Sequence, residues 1–229
     1  MKRIIWVLAL LVLCIGLSSC DKSLFDENYV YDGTSLLGKW QSEDKEDGYY
    51  YSYEFFDNGK VEWKEYSYGI EFSVELREYT AQGHEITLKA TRYDGTVSTE
   101  KNKFTITEDG KLVIVYLDAD AMTEKESVLV PFENDFNEDA DRIFGSWEDR
   151  DNPGEIWSFN EDFSGSIADD KNSYTIYYSV KDKRLYIAYE FVPGVKQSLV
   201  QYDMDLDGDT LSLKCKIEGE TVKYVLERK

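Results

Sequence analysis

The sequence predicts an all-β protein made of two tandem antiparallel units. Apolar residues recur with a period of two, turn signals of the Asp-Gly, Asn-Gly and Pro-Gly kind separate the runs, and one residue pattern occurs twice. After residue 20 the chain carries no helical apolar stripe long enough to compete, apart from a turn near Asp118 to Glu124. With 42% hydrophobic and 15% aromatic residues, the chain has the composition of a protein with a packed core.

The alternating runs predict the strands. Phe72, Val74 and Leu76 alternate with polar residues, and runs ending at Val180 and Leu226 repeat this pattern in the second half. Turn signals between the runs are Asn58-Gly59, Gln82-Gly83, Asp94-Gly95, Asp109-Gly110, Pro153-Gly154, Pro193-Gly194 and Asp207-Gly208. Counting the runs predicts about eight strands in each copy, joined by sequential hairpins.

The duplicated pattern divides the chain into two domains. Gly38-Lys39-Trp40 and Gly145-Ser146-Trp147 each follow a short apolar pair and precede a polar, acidic stretch. An aromatic strand, a glycine turn and a closing β-branched strand then follow in the same order in both copies. We therefore predict domains at residues 35–133 and 142–229, joined by an acidic linker, residues 134–141, with little apolar content.

Eight strands connected by hairpins can close into an up-and-down barrel, which removes the exposed edges of an open sheet. A Gly-x-Trp at the start of the first strand of such a barrel resembles the lipocalin signature, which Gly38 and Trp40 match in one copy and Gly145 and Trp147 in the other. The resemblance implies two small lipocalin-like barrels, with each tryptophan at the closed end under an arginine from a late strand. Arg228 matches that arginine for Trp147, whereas the last strand of the first copy has none.

The N-terminal segment predicts export and lipidation. Lys2 and Arg3 precede an uncharged apolar run from Ile4 to Leu17, which has the length of a secretory signal core and is too short to span a bilayer. Leu17-Ser18-Ser19-Cys20 resembles the lipobox of bacterial lipoproteins, and an ordinary signal peptide is the alternative. The resemblance implies a signal peptide at residues 1–19, lipid attachment at Cys20 and a tether at residues 20–34.

Tandem lipocalin-like units behind a lipobox are similar to a group of lipoproteins from Bacteroides-type bacteria. This resemblance implies a lipid-anchored protein of the cell envelope at the outer membrane, facing either the periplasm or the exterior. The protein would contact the membrane through the lipid on Cys20.

Charge and cysteine content narrow the range of partners. The chain carries 46 acidic against 26 basic residues, a net charge of -20, so its surface is expected to repel nucleic acid and anionic lipid headgroups. Of the three cysteines, Cys14 leaves with the signal peptide and Cys20 carries the lipid. Cys215 remains, on an apolar strand face, where a free cysteine behaves as a small hydrophobic residue.

Motifs for catalysis and metal binding are scarce. The single histidine, His84, shares a strand face with Ile86 and Leu88 and is expected to be a core residue. The chain has no Gly-x-Ser-x-Gly elbow, no His-Glu-x-x-His and no glycine-rich phosphate loop. Residues 203–209 match the first half of an EF-hand loop, but Lys214 stands at the position of the bidentate glutamate, which favours an Asp-Gly hairpin. We predict no catalytic residue, no metal and no cofactor.

An aromatic cluster in the first copy is the strongest indication of a binding site. One strand face carries Tyr49, Tyr51, Tyr53 and Phe55, with Val61 and Trp63 across the Asn58-Gly59 turn. Tyr50, Tyr66 and Tyr68 fall out of phase with this face and are expected outside the barrel or at its rim. We predict that Tyr50, Trp63, Tyr66 and Tyr68 bind the ligand, because these side chains combine a flat apolar face with a polar tip. The alternative is an ordinary sheet surface, where tyrosine is common.

These observations predict a non-catalytic binding or structural module whose partner is a glycan, a peptide or an envelope protein. The interior of an eight-stranded barrel is filled by side chains or holds one small ligand, and the aromatic content favours filling. The alternative is an inhibitor or immunity-type protein that acts through its acidic surface. A third possibility is a hydrolase with a carboxylate pair.

Overall fold

The computed structural model describes Tyr31 and residues 33–92, 94–118 and 120–229, which fold into sixteen β-strands. Three short 3₁₀ segments accompany the strands, at Gly33–Leu36, Glu46–Gly48 and Ala140–Ile143. Within this part of the chain, no helix has the length and apolar character needed to cross a bilayer. The predicted signal peptide and Cys20 lie outside the described residues.

The first eight strands form barrel one. They are β1 Gly38–Ser42, β2 Tyr49–Phe55, β3 Lys60–Ser67, β4 Ile70–Gln82, β5 Glu85–Thr91, β6 Val97–Ile106, β7 Leu112–Asp118 and β8 Thr123–Pro131. Each strand pairs antiparallel with the next one along the chain. β1 also pairs with β8, with Trp40 opposite Pro131 and Gln41 opposite Val130, and this pairing closes the barrel.

The last eight strands repeat this arrangement as barrel two. They are β9 Gly145–Asp149, β10 Ile156–Phe159, β11 Ser164–Ala168, β12 Ser173–Lys181, β13 Arg184–Val192, β14 Val195–Asp207, β15 Thr210–Ile217 and β16 Glu220–Arg228. Pairing of Trp147 with Arg228 and of Asp149 with Leu226 closes β9 onto β16. The predicted fold class, two tandem eight-stranded antiparallel up-and-down barrels, is confirmed.

The two Gly-x-Trp signatures form matching structures at one end of each barrel. Gly38 and Gly145 have φ values of 112° and 113°, a backbone conformation that glycine adopts without strain. Each tryptophan then folds back on the 3₁₀ segment before it. The Trp40 indole N–H donates to the Leu36 carbonyl at 2.9 Å, and that of Trp147 donates to the Ile143 carbonyl at 2.8 Å.

The two signature tryptophans differ in their cover. The Arg228 guanidinium lies 4.2 Å from the ring centre of Trp147 and donates to the carbonyls of Phe144 and Arg142, each at 2.7 Å. Trp147 is fully buried, whereas Trp40, which has Pro131 opposite it in place of an arginine, is only partly buried. The arrangement implied for Arg228 by the lipocalin resemblance is therefore present in barrel two.

Each barrel has an apolar core of its own. The outer faces of the two barrels meet around a further apolar cluster, which we call the interface cluster. Its buried members are Tyr50, Tyr66, Ile70, Phe136, Tyr186 and Ala188. Tyr68 from the β3–β4 turn stacks on Tyr186 from β13, with ring centres 4.4 Å apart. The Ser179 hydroxyl of barrel two donates to the Tyr68 carbonyl, and the Lys196 ammonium donates to the carbonyl of Glu71. The two barrels are thus docked through packed aromatic rings and hydrogen bonds.

The linker takes part in this docking. Phe136 is 6% exposed, and the Asn137 backbone N–H donates to the Val180 carbonyl at 2.6 Å. Asp135 accepts from Lys45 of barrel one at 3.1 Å and from Lys181 of barrel two at 2.5 Å. The acidic linker therefore joins the two barrels through its own side chains.

Candidate functional site

A cavity of about 600 Å³ is lined by residues of barrel one; we call it the barrel-one cavity. Its aromatic lining consists of Tyr49, Tyr51, Tyr53, Trp63 and Tyr116, and its polar lining of Arg77, Glu100, Asn102 and Ser127. Tyr49 and Tyr116 are 47% and 39% exposed, so the cavity opens to solvent. The buried cluster of Phe55, Val61, Leu88, Phe104 and Leu112 fills the barrel on the side of the signature tryptophan. Barrel one is therefore only half filled.

Arg77 reaches this lining from β4, a strand whose polar face points inward. In β4 the alternation of apolar and polar residues is present, but Val74 and Leu76 are 56% and 58% exposed on the outer wall. Tyr79, two residues after Arg77 on the same face, packs into the core of the barrel. Arg77 therefore projects into the interior, where it lines the barrel-one cavity.

Arg77 is the centre of a charged group in this cavity. Its guanidinium donates to Glu75 at 2.5 Å, lies 3.6 Å from a carboxylate oxygen of Glu100, and sits 5.3 Å from the ring centre of Trp63. Burial opposes the charge, but the hydrogen bond to Glu75 and the neighbouring negative charges prevail and raise the pKa of Arg77 above its usual value. Its Nε–H is buried without an acceptor among the described residues. The cavity thus holds one permanent positive charge between two carboxylates.

Tyr49, Tyr51 and Tyr53, which line the cavity, stay protonated at physiological pH. Burial, with a hydrogen bond to Glu65, raises the pKa of Tyr49 to about 12. Burial also raises the pKa of Tyr51, whose hydroxyl is hydrogen-bonded to Ser127, and that of Tyr53. These hydroxyls can therefore donate hydrogen bonds as well as accept them.

Several polar groups of the lining have no hydrogen-bond partner among the described residues. They are the indole N–H of Trp63, the hydroxyl of Tyr53 and the side-chain amide of Asn102. All three face the same cavity. Polar groups inside proteins are normally paired, so these donors and acceptors are available to water or to a bound molecule.

An acidic shelf adjoins the barrel-one cavity and shares Tyr49, Tyr51 and Ser127 with it. We define it by its carboxylates, Glu43, Asp44, Glu46 and Glu126, around a depression of about 440 Å³. Glu43 pairs with Lys111 at 2.6 Å. The approach to the cavity is therefore negatively charged.

The corresponding positions in barrel two carry aliphatic or aromatic side chains without charge. Strand pairing places Ile176 where barrel one has Arg77, and Val200, Tyr202 and Tyr224 where it has Glu100, Asn102 and Ser127. Trp147, Trp157 and Tyr202 are each at most 1% exposed and belong to one buried cluster that fills the barrel. Filling, as predicted from the aromatic content, describes barrel two but not barrel one.

Only one of the four predicted ligand-binding residues lies in the cavity. Trp63 does, whereas Tyr50, Tyr66 and Tyr68 belong to the interface cluster on the outside of barrel one. Tyr50 and Tyr66 are 1% and 7% exposed, and their rings stack 4.8 Å apart. These tyrosines lie outside the barrel, which is one of the two predicted positions. Tyr50 and Tyr66 are nevertheless inaccessible to a ligand, because their side chains pack towards barrel two and not into solvent.

The sequence analysis missed Arg77, Glu100 and Asn102. A strand with strict alternation has one apolar and one polar face. The sequence of β4 does not show that its apolar face lies on the outside of the barrel. In the structure Trp63 pairs across β3–β4 with Glu75, and Val61 with Arg77, which continues the inward face of β3 into β4. This pairing contains a register shift between Glu65 and Tyr66, so the facing of β4 follows from the folded barrel and not from its sequence.

The other residues considered in the sequence for catalysis or metal binding lie in packed strands or hairpins. His84 contacts the Tyr31 ring edge-on at 5.3 Å, and its Nδ1 lies 3.1 Å from the Phe104 carbonyl. Cys215 is buried, and burial raises the pKa of its thiol, which lowers its reactivity. Asp207 ends β14 at the hairpin to β15, and no group of three or more potential metal ligands occurs in the described parts of the chain.

Comparison with known proteins finds a family model that matches the second half of the chain. Residues 141–227 match a family described as a family of unknown function, DUF5640. The matched stretch runs from the 3₁₀ segment before β9 into β16 and so covers barrel two. No curated protein and no solved structure matches the chain.

Proposed function

We propose that this protein is a lipid-anchored, non-catalytic binding module of the bacterial cell envelope, with its ligand site in the barrel-one cavity. The observation that carries this proposal is the contrast between the two interiors. Barrel two fills its interior with apolar side chains, whereas barrel one keeps about 600 Å³ open and lines it with polar groups. This volume lies within the range of about 300–1,000 Å³ that is typical of small-molecule sites.

Barrel two serves as the support of that site. Strand β2 turns Tyr49 and Tyr51 towards the cavity and Tyr50 into the interface cluster, so its two faces serve ligand and partner barrel respectively. Because the outer face of β2 packs against the stacked rings of the interface cluster, its inner face is held in position before the ligand binds. Such preorganisation reduces the entropy lost on binding.

The arrangement of charges in the cavity supports ligand binding without catalysis. The only guanidinium in the lining is engaged by Glu75 and Glu100, so neither carboxylate is set apart as an acid or as a nucleophile. The lining otherwise consists mainly of aromatic faces, an amide and hydroxyls, which are groups that bind and orient small molecules.

Anchoring rests on the N-terminal sequence. Acyl chains on Cys20 would hold the protein at the outer membrane, because each buried methylene contributes about 0.8 kcal/mol and several chains together bind firmly. In a fractionation experiment, the Cys20→Ala protein should leave the membrane fraction or accumulate uncleaved. Full retention of the mature form in membranes would contradict the anchor.

Ligand capture tests the site itself. The full lipoprotein, purified in mild detergent, is incubated with a small-molecule extract of the envelope and analysed by native mass spectrometry. We expect a bound mass that is lost in Trp63→Ala and in Asn102→Tyr, the residue of barrel two. Ile167→Ala, the position in barrel two that matches Trp63, is the control and should retain the mass. Equal capture by all four proteins would reject the site.

A protein inhibitor is the second candidate, favoured by the acidic shelf. Asp44, Glu46 and Glu126 lie beside one another around a solvent-open depression, on a chain with a net charge of -20. Such a surface would attract a basic protein, and its affinity would fall steeply as salt rises. Replacing these three carboxylates by amides would abolish that activity while leaving the capture of a small ligand intact.

A further inference from the structure

We infer that the barrel-one cavity takes a compact, uncharged ring that carries several hydroxyl or amide groups, as a neutral monosaccharide unit does. This inference rests on the proposed function and adds the chemical class of the ligand. It follows from three features of the lining: the flat faces, the unpaired polar groups and the balance of charge.

The flat faces come from strands on two sides of the cavity. Tyr51 and Tyr53 lie on β2, Trp63 lies opposite Tyr53 on β3, and Tyr116 lies on β7. Aromatic rings of this kind combine an apolar face with a polar edge. A ring with one apolar face and polar substituents around its edge fits between such walls better than a flexible acyl chain, which would leave the polar lining unpaired.

The unpaired polar groups supply both donors and acceptors at several points. The Trp63 indole N–H can only donate, while the Asn102 amide and the Tyr53 hydroxyl can each donate and accept. None of the three has a partner among the described residues. A hydroxyl or an amide has the same dual capacity, so a ligand rich in these groups can satisfy all three positions together. An apolar ligand would strip water from them without replacement, at a cost in affinity.

The charge balance disfavours ions of either sign. An anion would meet Glu75 and Glu100 on either side of the guanidinium, and a cation would meet Arg77 itself within the cavity. Because these charges already pair with one another, an entering ion would have to break a pair in a partly dry site. A neutral ligand leaves the pairs intact and can still accept hydrogen bonds from the guanidinium edge.

Three probes with one ring and different charge test the class directly. N-acetylglucosamine is neutral, glucosamine is cationic and glucuronate is anionic; galactose and mannose add neutral rings of other stereochemistry. Binding to the full lipoprotein is measured by ligand-observed saturation-transfer NMR. We expect at least one neutral ring to bind, at least about tenfold more tightly than either charged ring. That binding should weaken at least tenfold in Trp63→Ala and in Asn102→Ala, and should persist in the control Ile167→Ala.

Other outcomes overturn the inference. Preference for glucosamine, with a steep dependence on salt, would show that the acidic shelf selects a cation, and preference for glucuronate would show that Arg77 binds an anion. If no ring binds while the envelope extract still yields a mass that depends on Trp63, the chemical class is wrong and the binding site stands. If neither the rings nor the extract gives a signal that depends on Trp63, the proposed function fails as well. Near-ultraviolet circular dichroism of each variant confirms that the barrel is folded.

Discussion

Barrel one and barrel two have the same strand order but differ in the side chains that line their interiors. In both, a hydroxyl from the fourth strand reaches the turn between the second and third strands. Tyr79 donates to the Phe56 carbonyl at 3.0 Å, and Tyr178 donates to that of Asn160 at 2.5 Å. In both, a tryptophan indole returns to the 3₁₀ segment before the first strand. The interiors diverge above this level, where barrel one has Arg77 and barrel two has Ile176.

This difference teaches that closure and filling are separate properties of such a barrel. Closure depends on hairpins and backbone pairing, which follow the same strand order in both copies. Filling depends on a few inward positions, where polar residues in one copy replace the apolar residues of the other. In a duplicated barrel, one copy can therefore keep a packed interior and support the fold. The other copy can carry a binding cavity in place of part of its apolar core.

The largest expected effect on stability comes from the tryptophans of the two Gly-x-Trp motifs. Trp147→Ala should lower the free energy of unfolding by about 3–5 kcal/mol, because it empties a fully buried position and removes the ring under Arg228. Trp40→Ala should cost clearly less, since Trp40 is partly exposed and has no arginine over it. Chemical denaturation of both variants measures the difference. Equal losses would mean that the two ends are energetically equivalent.

The next effect concerns the contact between the barrels. Tyr186→Ala should destabilise the protein by about 2–4 kcal/mol, through lost burial and the lost stack on Tyr68. Because the change lies on the outer faces, we expect it to uncouple the barrels and split one cooperative calorimetric transition into two. Tyr174→Ala, which removes an exposed tyrosine of barrel two, is the matched control. A single sharp transition in Tyr186→Ala would show that the barrels are coupled by other contacts.

A gain in stability is expected when the interior of barrel one is made to resemble that of barrel two. The combination Glu75→Tyr, Arg77→Ile and Glu100→Val should stabilise barrel one by about 1–4 kcal/mol, because apolar packing replaces a partly buried ion pair. The same protein should no longer bind a ligand in the cavity.

The control for this combination is the exposed pair Lys60–Glu78 on neighbouring strands, at 2.7 Å. Changing both of its residues to alanine should alter stability by no more than about 1 kcal/mol. Loss of stability in the triple variant would mean that the charged group holds barrel one together. Site and support would then not be separable in this protein.

The smallest expected effect is the dependence of the docking on pH. Burial opposes ionisation of Asp135, but hydrogen bonds from Lys181 and Lys45 prevail and lower its pKa from the usual 3.8. A lowered pKa stabilises the folded protein above pH 3.8, and this contribution is lost as pH falls through the lowered value.

Asp135 is 41% exposed, so solvent screening limits the contribution to about 1 kcal/mol or less. Asp135→Asn should lower stability by this amount at pH 7. The difference should disappear as pH falls through the lowered pKa of Asp135, and it should shrink in high salt. Denaturation curves at three pH values measure it. A difference that persists in acid would point to packing, not to the ion pairs.

The sequence by itself determined the backbone architecture. The period of two, the Asp-Gly and Asn-Gly turns and the repeated Gly-x-Trp predicted two eight-stranded barrels, and the structure confirms them. These features are local: an alternating run forms a strand, and a glycine with positive φ, such as Gly59 or Gly110, forms the turn between two strands. The inward placement of Trp63 followed in the same way, because the Asn58-Gly59 hairpin sets its pairing with Tyr53.

Only the tertiary structure decided which face of a strand is inside and what covers the outside. Val74 and Leu76 are exposed while Arg77 lines the interior, because barrel closure and register fix the facing of β4 regardless of its hydrophobicity. Tyr50 and Tyr66 are buried in one cluster with Tyr186 and Ala188 of barrel two, which lie more than a hundred residues away along the chain. Contacts of that range depend on how two finished surfaces fit, and no local pattern encodes them.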